Sequence, residues 1–254
     1  MNIGIDIGST AAKAVVVDKG GREILHTFLM PTGWSGTKAA EEIKENLQNA
    51  GFFVEGAHVV ATGYGRVSIP YADKAVTEIT CHGQGVFHLF QRDCTVIDIG
   101  GQDTKVITLQ EGAVQDFLMN DKCSAGTGRF LEIMATTLGI DLAELFALAE
   151  NGTDITISSM CTVFAESEVI SLIGKGCRKE DIAAAICESI VTKVVSMCNK
   201  QGAGKVYYLS GGLCESAYLR RRLCEKLGAE VFSEPMARYA GALGAAILAS
   251  RIKD

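Results

Sequence analysis

The sequence predicts an α/β protein built from two similar lobes, and three observations lead to this fold class. First, residues 5–20 (IDIGSTAAKAVVVDKG) align with residues 97–112 (IDIGGQDTKVITLQEG) at an offset of 92, sharing Ile-Asp-Ile-Gly, a Lys and the final Gly. Second, amphipathic helical stretches lie between and after the two copies. Third, 28 of 254 residues are Gly, an excess that indicates turns where the backbone approaches a neighbour closely.

Each copy of the repeat predicts a β-hairpin with a glycine-rich tip, because an apolar strand enters Asp-x-Gly and a second apolar strand (AVVV, VITL) follows. Apolar periodicity predicts helices at about 37–50, 74–90, 127–138, 141–150, 163–173, 181–200 and 216–227. VYYLSGG at 206–212 predicts a strand that enters a glycine turn, and AGALGAAILAS at 240–250 predicts a small-residue helix that returns to the first lobe.

The predicted lobes are residues 1–92 with 235–254, and residues 93–234, joined by a compact hinge near 91–95. The length allows one large domain or two fused lobes, and the repeat favours two.

Composition excludes several classes of protein. Hydrophobic residues make up 48% and charged residues 21%, which is typical of a globular chain and not of a disordered one. The net charge of −6 and the lack of a Lys/Arg-rich run argue against nucleic-acid binding. An apolar run of the ~20 residues that span a bilayer is missing, and Asp6 would interrupt a signal peptide. We therefore expect a cytoplasmic protein with no membrane partner.

Two aspartates at the repeated strand ends form the candidate nucleotide site. Asp6 and Asp98 each precede a small-residue turn, and such carboxylates suit Mg²⁺, which keeps several waters and takes few protein oxygens. Alone, each Asp-x-Gly is equally well explained as a turn; the duplication and a third glycine turn at 210–212 favour nucleotide binding. The candidate phosphate-binding residues are Gly8, Ser9, Thr10, Ala11, Ala12, Lys13, Gly100, Gly101, Gly211 and Gly212.

Two of the nine cysteines, Cys123 and Cys161, lie just before predicted helices, with Thr127 and Thr162 as candidate N-caps. The odd count, irregular spacing and missing export signal argue against a disulfide framework. A helix N-terminus stabilises a thiolate or an anionic iron–sulfur cluster, although burial is the commoner fate of a free Cys. With no C-x-x-C motif, the four thiolates of a [4Fe–4S] cluster would require a symmetric dimer.

Two further segments leave alternatives open. His82, beside Cys81, is more often a packing residue than a metal ligand. The segment 62–66 (TGYGR) is either a tight turn or a contact to the interlobe cleft or a partner.

The motifs resemble a known family over essentially the whole chain. The phosphate-1, phosphate-2 and adenosine motifs are similar to those of the acetate kinase, sugar kinase, Hsp70 and actin superfold, in which two ribonuclease-H-like lobes close on ATP. Within it, five segments resemble the ATP-dependent activators of 2-hydroxyacyl-CoA dehydratases, a branch that also serves benzoyl-CoA reductases and double-cubane cluster proteins. They are NDKCSAGTGRFLE, SSMCTVFAESEVIS, ATGYGR, ADKAVTEITCHG and VIDIGGQDTKV.

This resemblance implies an oxygen-sensitive homodimeric ATPase coupled to electron transfer. Cys123 and Cys161 of both chains would hold one [4Fe–4S] cluster, reduced by ferredoxin or flavodoxin. ATP turnover would then send one electron at low potential to an iron–sulfur dehydratase or reductase.

In the resembled family's chemistry, Asp6 and Asp98 would position Mg²⁺ and the phosphates, and Gln102 or Asp103 would orient the attacking water. Two alternatives are a small-molecule kinase of the same superfold, with its cysteines buried, and a nucleotide-dependent switch without catalysis.

Overall fold

The computed structural model describes residues 1–153, 155–158, 161–202 and 204–253. The strands are β1 (Asn2–Ile7), β2 (Ala11–Val17), β3 (Ile24–Pro31), β4 (His58–Thr62), β5 (Lys74–Ala75), β6 (Cys94–Ile99), β7 (Thr104–Gln110), β8 (Ala113–Asn120), β9 (Val206–Gly211) and β10 (Glu230–Phe232). The helices are α1 (Gly36–Asn49), α2 (Glu78–Phe90), α3 (Gly128–Leu138), α4 (Leu142–Ala149), α5 (Thr162–Gly174), α6 (Lys179–Gln201), α7 (Ala217–Leu227) and α8 (Ala240–Ala249). Within those ranges, none of the helices has both the length and the apolar character needed to cross a bilayer.

The strands form two five-stranded sheets with the same order. One sheet runs β3-β2-β1-β4-β5 and the other runs β8-β7-β6-β9-β10, so β6 takes the central place that β1 holds in the first sheet. In the first sheet β1 pairs antiparallel with β2 and parallel with β4. The internal repeat therefore corresponds to equivalent strands of two sheets, which confirms the predicted α/β class.

The chain divides into two compact units, the first made of Met1–Val96, Ile107–Phe117 and Pro235–Asp254. In this unit alternate residues of β2 face opposite sides of the sheet. Ala12, Ala14 and Val16 pack with α1, while Val15 and Val17 pack with α8. Because both faces are covered, all six residues of β1 are buried. The predicted helix at 240–250 thus returns to the first unit, as expected.

The second unit consists of Ile97–Val106 and Leu118–Glu234. Its helices pack through apolar faces, with α3 against α5 and α6, and α6 against α4 and α7. Phe130, Leu131 and Met134 of α3 are fully buried at helical spacing, which explains why periodicity located this helix. The lobe limits predicted from the repeat, 1–92 with 235–254 and 93–234, stay a prediction.

Two helix starts differ from the sequence-based expectation. The helix expected at 74–90 begins only at Glu78, because Lys74–Ala75 pairs with β4 and the Thr77 hydroxyl caps the helix by accepting a hydrogen bond from the N–H of Thr80. Thr162 is already helical, and Cys161 is the N-cap of α5.

Candidate functional site

The glycine turns of the two repeats have the same hydrogen bond at equivalent positions. The N–H of Gly8 donates to the Ala11 carbonyl at 3.1 Å, and the N–H of Gly100 donates to the Asp103 carbonyl at 2.9 Å. Ser9 and Thr10 are exposed at the first tip, as is Gln102 at the second. Both predicted hairpins are therefore present, and their tips offer polar groups to a ligand.

Asp6 lies at the end of β1 in a narrow cradle. It is 5% exposed and stands opposite Lys13, which is half-buried on β2. A Cβ at Gly63 (φ 85°) would collide with Asp6 Oδ1 and lie 2.5 Å from the Ile7 carbonyl oxygen. A Cβ at Gly241 would lie 2.7 Å from Asp6 Oδ2. The carboxylate thus occupies space that only glycines leave open, at the positive N-terminal end of α8.

His82 is 4% exposed on α2, and its Nε2 would lie 2.9 Å from the same Cβ at Gly241. The imidazole therefore packs beside Asp6. The sequence predicts a packing role for His82 but not this neighbour.

Asp98, the counterpart of Asp6, is held by two side chains. Asp98 Oδ1 accepts from the Ser210 hydroxyl at 2.9 Å, and Oδ2 lies 3.3 Å from Lys105 Nζ. The Lys105 ammonium also donates to Asp103 Oδ1 at 2.8 Å. The three charged groups are 2–3% exposed, so one buried cation lies between two carboxylates. Sequence reasoning noted the matching Lys but did not include Lys105 among the site residues.

Glycine geometry is repeated around the two aspartates. Gly211 ends β9 at φ 89°, and a Cβ there would lie 2.9 Å from Asp98 Oδ1 and 2.5 Å from the Ile99 carbonyl oxygen. Gly63 has the same relation to Asp6 and Ile7. The sequence pointed to Gly63 only as part of the segment 62–66. The signal that could have singled it out is its equivalence to Gly211, which contacts Asp98 in the same way.

The remaining candidate phosphate-binding residues differ in accessibility. Gly212 is exposed, Gly101 and Ala11 are half-buried, and Ala12 belongs to the core beside α1. Among the candidate water-orienting residues, Gln102 is exposed whereas Asp103 is buried.

The structure brings the two candidate cysteine loops together. Ser124 and Thr162 each follow the cysteine of their loop, and their hydroxyl oxygens share a hydrogen bond of 2.8 Å. The Asn120 side-chain amide donates to the carbonyls of Cys123 and Ala125 at 2.8 and 3.0 Å. Cys123 and Cys161 therefore lie on adjoining, braced segments.

Burial separates these two thiols from the others. Cys123 and Cys161 are exposed, Cys177 and Cys224 are half-buried, and the remaining five are buried. Burial raises the pKa of Cys81, Cys94 and Cys198 to about 12, which keeps these thiols protonated and unsuited to bind metal. The predicted ligands Cys123 and Cys161 are accessible.

Cys123 and Cys161 are the two exposed thiols among the described residues. Among the described residues, no group of three or more His, Cys, Asp or Glu side chains could hold a metal ion. Two adjoining exposed thiols fit half of a [4Fe–4S] site, which needs four thiolates. Asp6 is a carboxylate at a strand end, which is the oxygen type of ligand that Mg²⁺ prefers.

The second glycine turn also contacts the start of α3, in the same unit. The N–H groups of Gly128 and Arg129 donate to the carbonyls of Gly100 and Gly101 at 2.9 and 2.8 Å. A Cβ at Gly128 would lie 3.1 Å from the Gly100 oxygen, so a glycine permits this close approach. The turn that carries the candidate phosphate-binding glycines is thereby attached to the helix that follows Cys123.

Comparisons with known proteins agree with this geometry. The chain is 45% identical over 250 residues to the (R)-2-hydroxyglutaryl-CoA dehydratase activating ATPase of Acidaminococcus fermentans, covering 97% of this chain and 96% of that protein. It is 40% identical over 251 residues to the 2-hydroxyisocaproyl-CoA dehydratase activator of Clostridioides difficile, covering 97% and 94%.

Solved structures give the same relationship. The crystal structure of the A. fermentans dehydratase component A superposes with a TM-score of 0.93 at 43% identity, covering 98% of this chain and 97% of that one. The C. difficile activator with bound ADPNP gives 0.91 at 38% identity, covering 98% and 94%.

A glucokinase of the ROK family from Streptomyces griseus, at 16% identity, covers 97% of this chain and 98% of its own with a TM-score of 0.58, and shares the fold. The predicted superfold is thus confirmed. Residues 3–249 match the BadF/BadG/BcrA/BcrD ATPase family, and the chain belongs to that family.

Proposed function

We propose that this protein is an ATP-hydrolysing activator that delivers one electron to an iron–sulfur dehydratase or reductase. The observation that carries the proposal is the pair of exposed thiols on loops joined by the Ser124–Thr162 hydrogen bond, in a chain that also has duplicated phosphate turns. Curated relatives are named as activators of 2-hydroxyacyl-CoA dehydratases and as a benzoyl-CoA reductase subunit, which supports a partner of this class.

The nucleotide chemistry is assigned to groups at the two turns. The exposed Ser9 and Thr10 hydroxyls would donate to phosphate oxygens, and the Lys13 ammonium would offset their charge. Asp6 at the first turn and Asp98 at the second are each a carboxylate of the kind that positions hydrated Mg²⁺, and this ion neutralises charge on phosphates. The carboxylate of Asp98 is oriented by Ser210 and Lys105, so it would meet its ligand without rearrangement.

Gln102 is the better candidate to orient the attacking water. Its side chain is exposed at the turn, whereas Asp103 is buried against Lys105. Asp103 would instead act as a positioning residue that fixes the lysine beside Asp98.

The thiols are assigned to the electron-transfer site. Cys123 and Cys161 of two chains would hold one [4Fe–4S] cluster, which stores and releases the single electron between a ferredoxin or flavodoxin donor and the partner enzyme. Cys161 is the N-cap of α5, whose N–H groups favour an anionic ligand. Val163, Phe164, Ile170 and Ile173 of α5 are exposed, an apolar surface that supports association with a second copy.

The test of the thiol assignment is anaerobic iron and acid-labile sulfide content, with the mass in solution. We expect about four irons per two chains, lost in Cys123→Ser and in Cys161→Ser. Cys224→Ser, which replaces a half-buried thiol on α7, is the matched control and should keep its iron. Wild-type protein that stays iron-free after anaerobic reconstitution would contradict the electron-transfer role. The small-molecule kinase would then be the favoured function.

ATP hydrolysis is tested separately with Asp98→Asn. This variant should lose hydrolysis and keep its iron, because Asn removes the charge at the nucleotide site without touching the thiols. Full ATPase activity in Asp98→Asn would refute the role given to that carboxylate.

A further inference from the structure

The hydroxyls of Thr104, Ser124 and Thr162 form a series of contacts, within one unit, from the phosphate turn to both thiol loops. Thr104 is the first residue of β7, directly after the 100–103 turn, and is fully buried. Its hydroxyl donates to the carbonyl of Gly126 at 2.5 Å. The loop that carries Cys123 is therefore attached to the turn from the side of β7.

The same loop is attached to the turn at its other end by main-chain bonds. The carbonyls of Gly100 and Gly101 accept from Gly128 and Arg129, at the start of α3. Within the loop, Thr127 donates its hydroxyl hydrogen to the Ser124 carbonyl at 2.7 Å. A displacement of the turn must move this loop with it, since close-packed segments shift as units.

The Ser124–Thr162 bond carries the displacement to the second loop. It joins the residue after Cys123 to the residue after Cys161 at 2.8 Å. Further along the two helices, the Thr137 hydroxyl of α3 lies 3.1 Å from the Glu166 carboxylate of α5. The two helices that follow the thiols are thus joined twice by side chains.

We infer that Thr104, Ser124 and Thr162 are positioning residues through which the phosphate turn sets the places of the Cys123 and Cys161 thiols. Thr104 links the turn to the Cys123 loop, and the Ser124–Thr162 pair links that loop to Cys161. This inference rests on the proposed function, because it takes the 100–103 turn as part of a nucleotide site.

The order of the links makes the inference testable in iron-free protein. The probe is Mg²⁺ with ADPNP, and the readout is the rate at which iodoacetamide alkylates each thiol, measured by peptide mass spectrometry. In the wild type we expect the nucleotide to change both rates by roughly fivefold or more. Binding of ADPNP is measured separately in every variant by equilibrium dialysis.

Each variant removes one link. Thr104→Val keeps the shape of the side chain and should weaken the nucleotide effect at both thiols while ADPNP still binds, since only the main-chain bonds of Gly128 and Arg129 then join the turn to the loop. Ser124→Ala should leave the effect at Cys123 and weaken it at Cys161, where the Thr137–Glu166 contact remains. Thr104→Ser and Thr162→Ser keep the hydroxyls, so both should behave as the wild type.

The outcomes separate the inference from the proposed function. Wild-type protein that binds no ADPNP overturns the proposed function and the inference with it. Wild-type protein that binds ADPNP without a change in either rate overturns the inference alone. So does a wild-type response at both thiols in Thr104→Val or Ser124→Ala.

Discussion

Lys105 joins two aspartates at the second glycine turn. Its buried ammonium contacts the carboxylates of Asp98 and Asp103 at 3.3 and 2.8 Å. A buried cation with two carboxylates lowers the energy of all three only while each has its partner.

We expect Lys105→Met to lower the free energy of unfolding by about 3–5 kcal/mol, since it leaves two carboxylates buried without their counter-ion. Urea denaturation followed by circular dichroism measures this loss. Lys13→Met is the matched control: the same substitution at the equivalent but half-buried position should change stability by less than about 1 kcal/mol. Equal losses of unfolding free energy in the two variants would show that the burial of Lys105 does not make it more important for stability than Lys13.

At the residue scale, the sequence predicts the candidate site residues but not the residues that contact them. Asp6, Asp98 and the thiols were found because each follows a strand or precedes a helix in a recognisable pattern. Gly63 and Gly241 were not, because they approach Asp6 from β4 and α8, and contacts between residues far apart in sequence leave no local pattern.

Helix α8 is the element that packs most closely on its neighbours. It contacts α2, β1 and β4 through small residues, and three glycines permit the approach. A Cβ at Gly4 would collide with the Ala242 carbonyl, one at Gly85 with the Ala240 carbonyl, and one at Gly244 with the Cys81 carbonyl.

Gly244→Ala should therefore lower the free energy of unfolding by roughly 3 kcal/mol, because the new methyl group meets main chain that cannot rotate away. The control is Gly174→Ala at the end of α5, where a Cβ has nothing within 4 Å and stability should stay constant or rise by up to ~1 kcal/mol. If thermal unfolding midpoints of the two variants coincide, close packing of α8 is not a determinant of stability.

At the element scale, strongly periodic helices were predictable and short or edge strands were not. The apolar spacing in α3 marks one buried face, so its position follows from sequence. Strands β3, β4, β8 and β10 have no counterpart among the predicted elements, and β5 lies in a stretch predicted as helix. β3 mixes half-buried and exposed residues, so its pairing with β2, and not its own pattern, determines its conformation.

At the scale of the whole molecule, the buried thiols make the free energy of unfolding decrease at alkaline pH. Burial raises the pKa of Cys81, Cys94 and Cys198 to about 12 in the folded chain, against about 8.5 for an exposed thiol. The folded state therefore holds protons that the unfolded chain loses. This contribution is complete below about pH 8.5 and declines as the pH rises towards 12.

We expect the free energy of unfolding to fall above pH 9 by up to about 1.4 kcal/mol per pH unit for each such thiol. Urea titrations at a series of pH values between 7 and 10.5, under reducing conditions, measure the slope. Cys198→Ala removes one of these thiols and should give a shallower decline; an unchanged slope would mean that other groups cause it.

The repeated strand order presents two copies of one hairpin whose polar groups differ. Gly8 and Gly100 keep the same turn, and Gly63 and Gly211 keep the same approach to an aspartate. The lysines have diverged: Lys105 became an internal counter-ion, while Lys13 stayed half-buried with Thr10 exposed nearby. A chimera carrying two first-copy hairpins would therefore keep a lysine at position 105 but have alanine in place of Asp103, so that lysine would contact Asp98 without its second carboxylate.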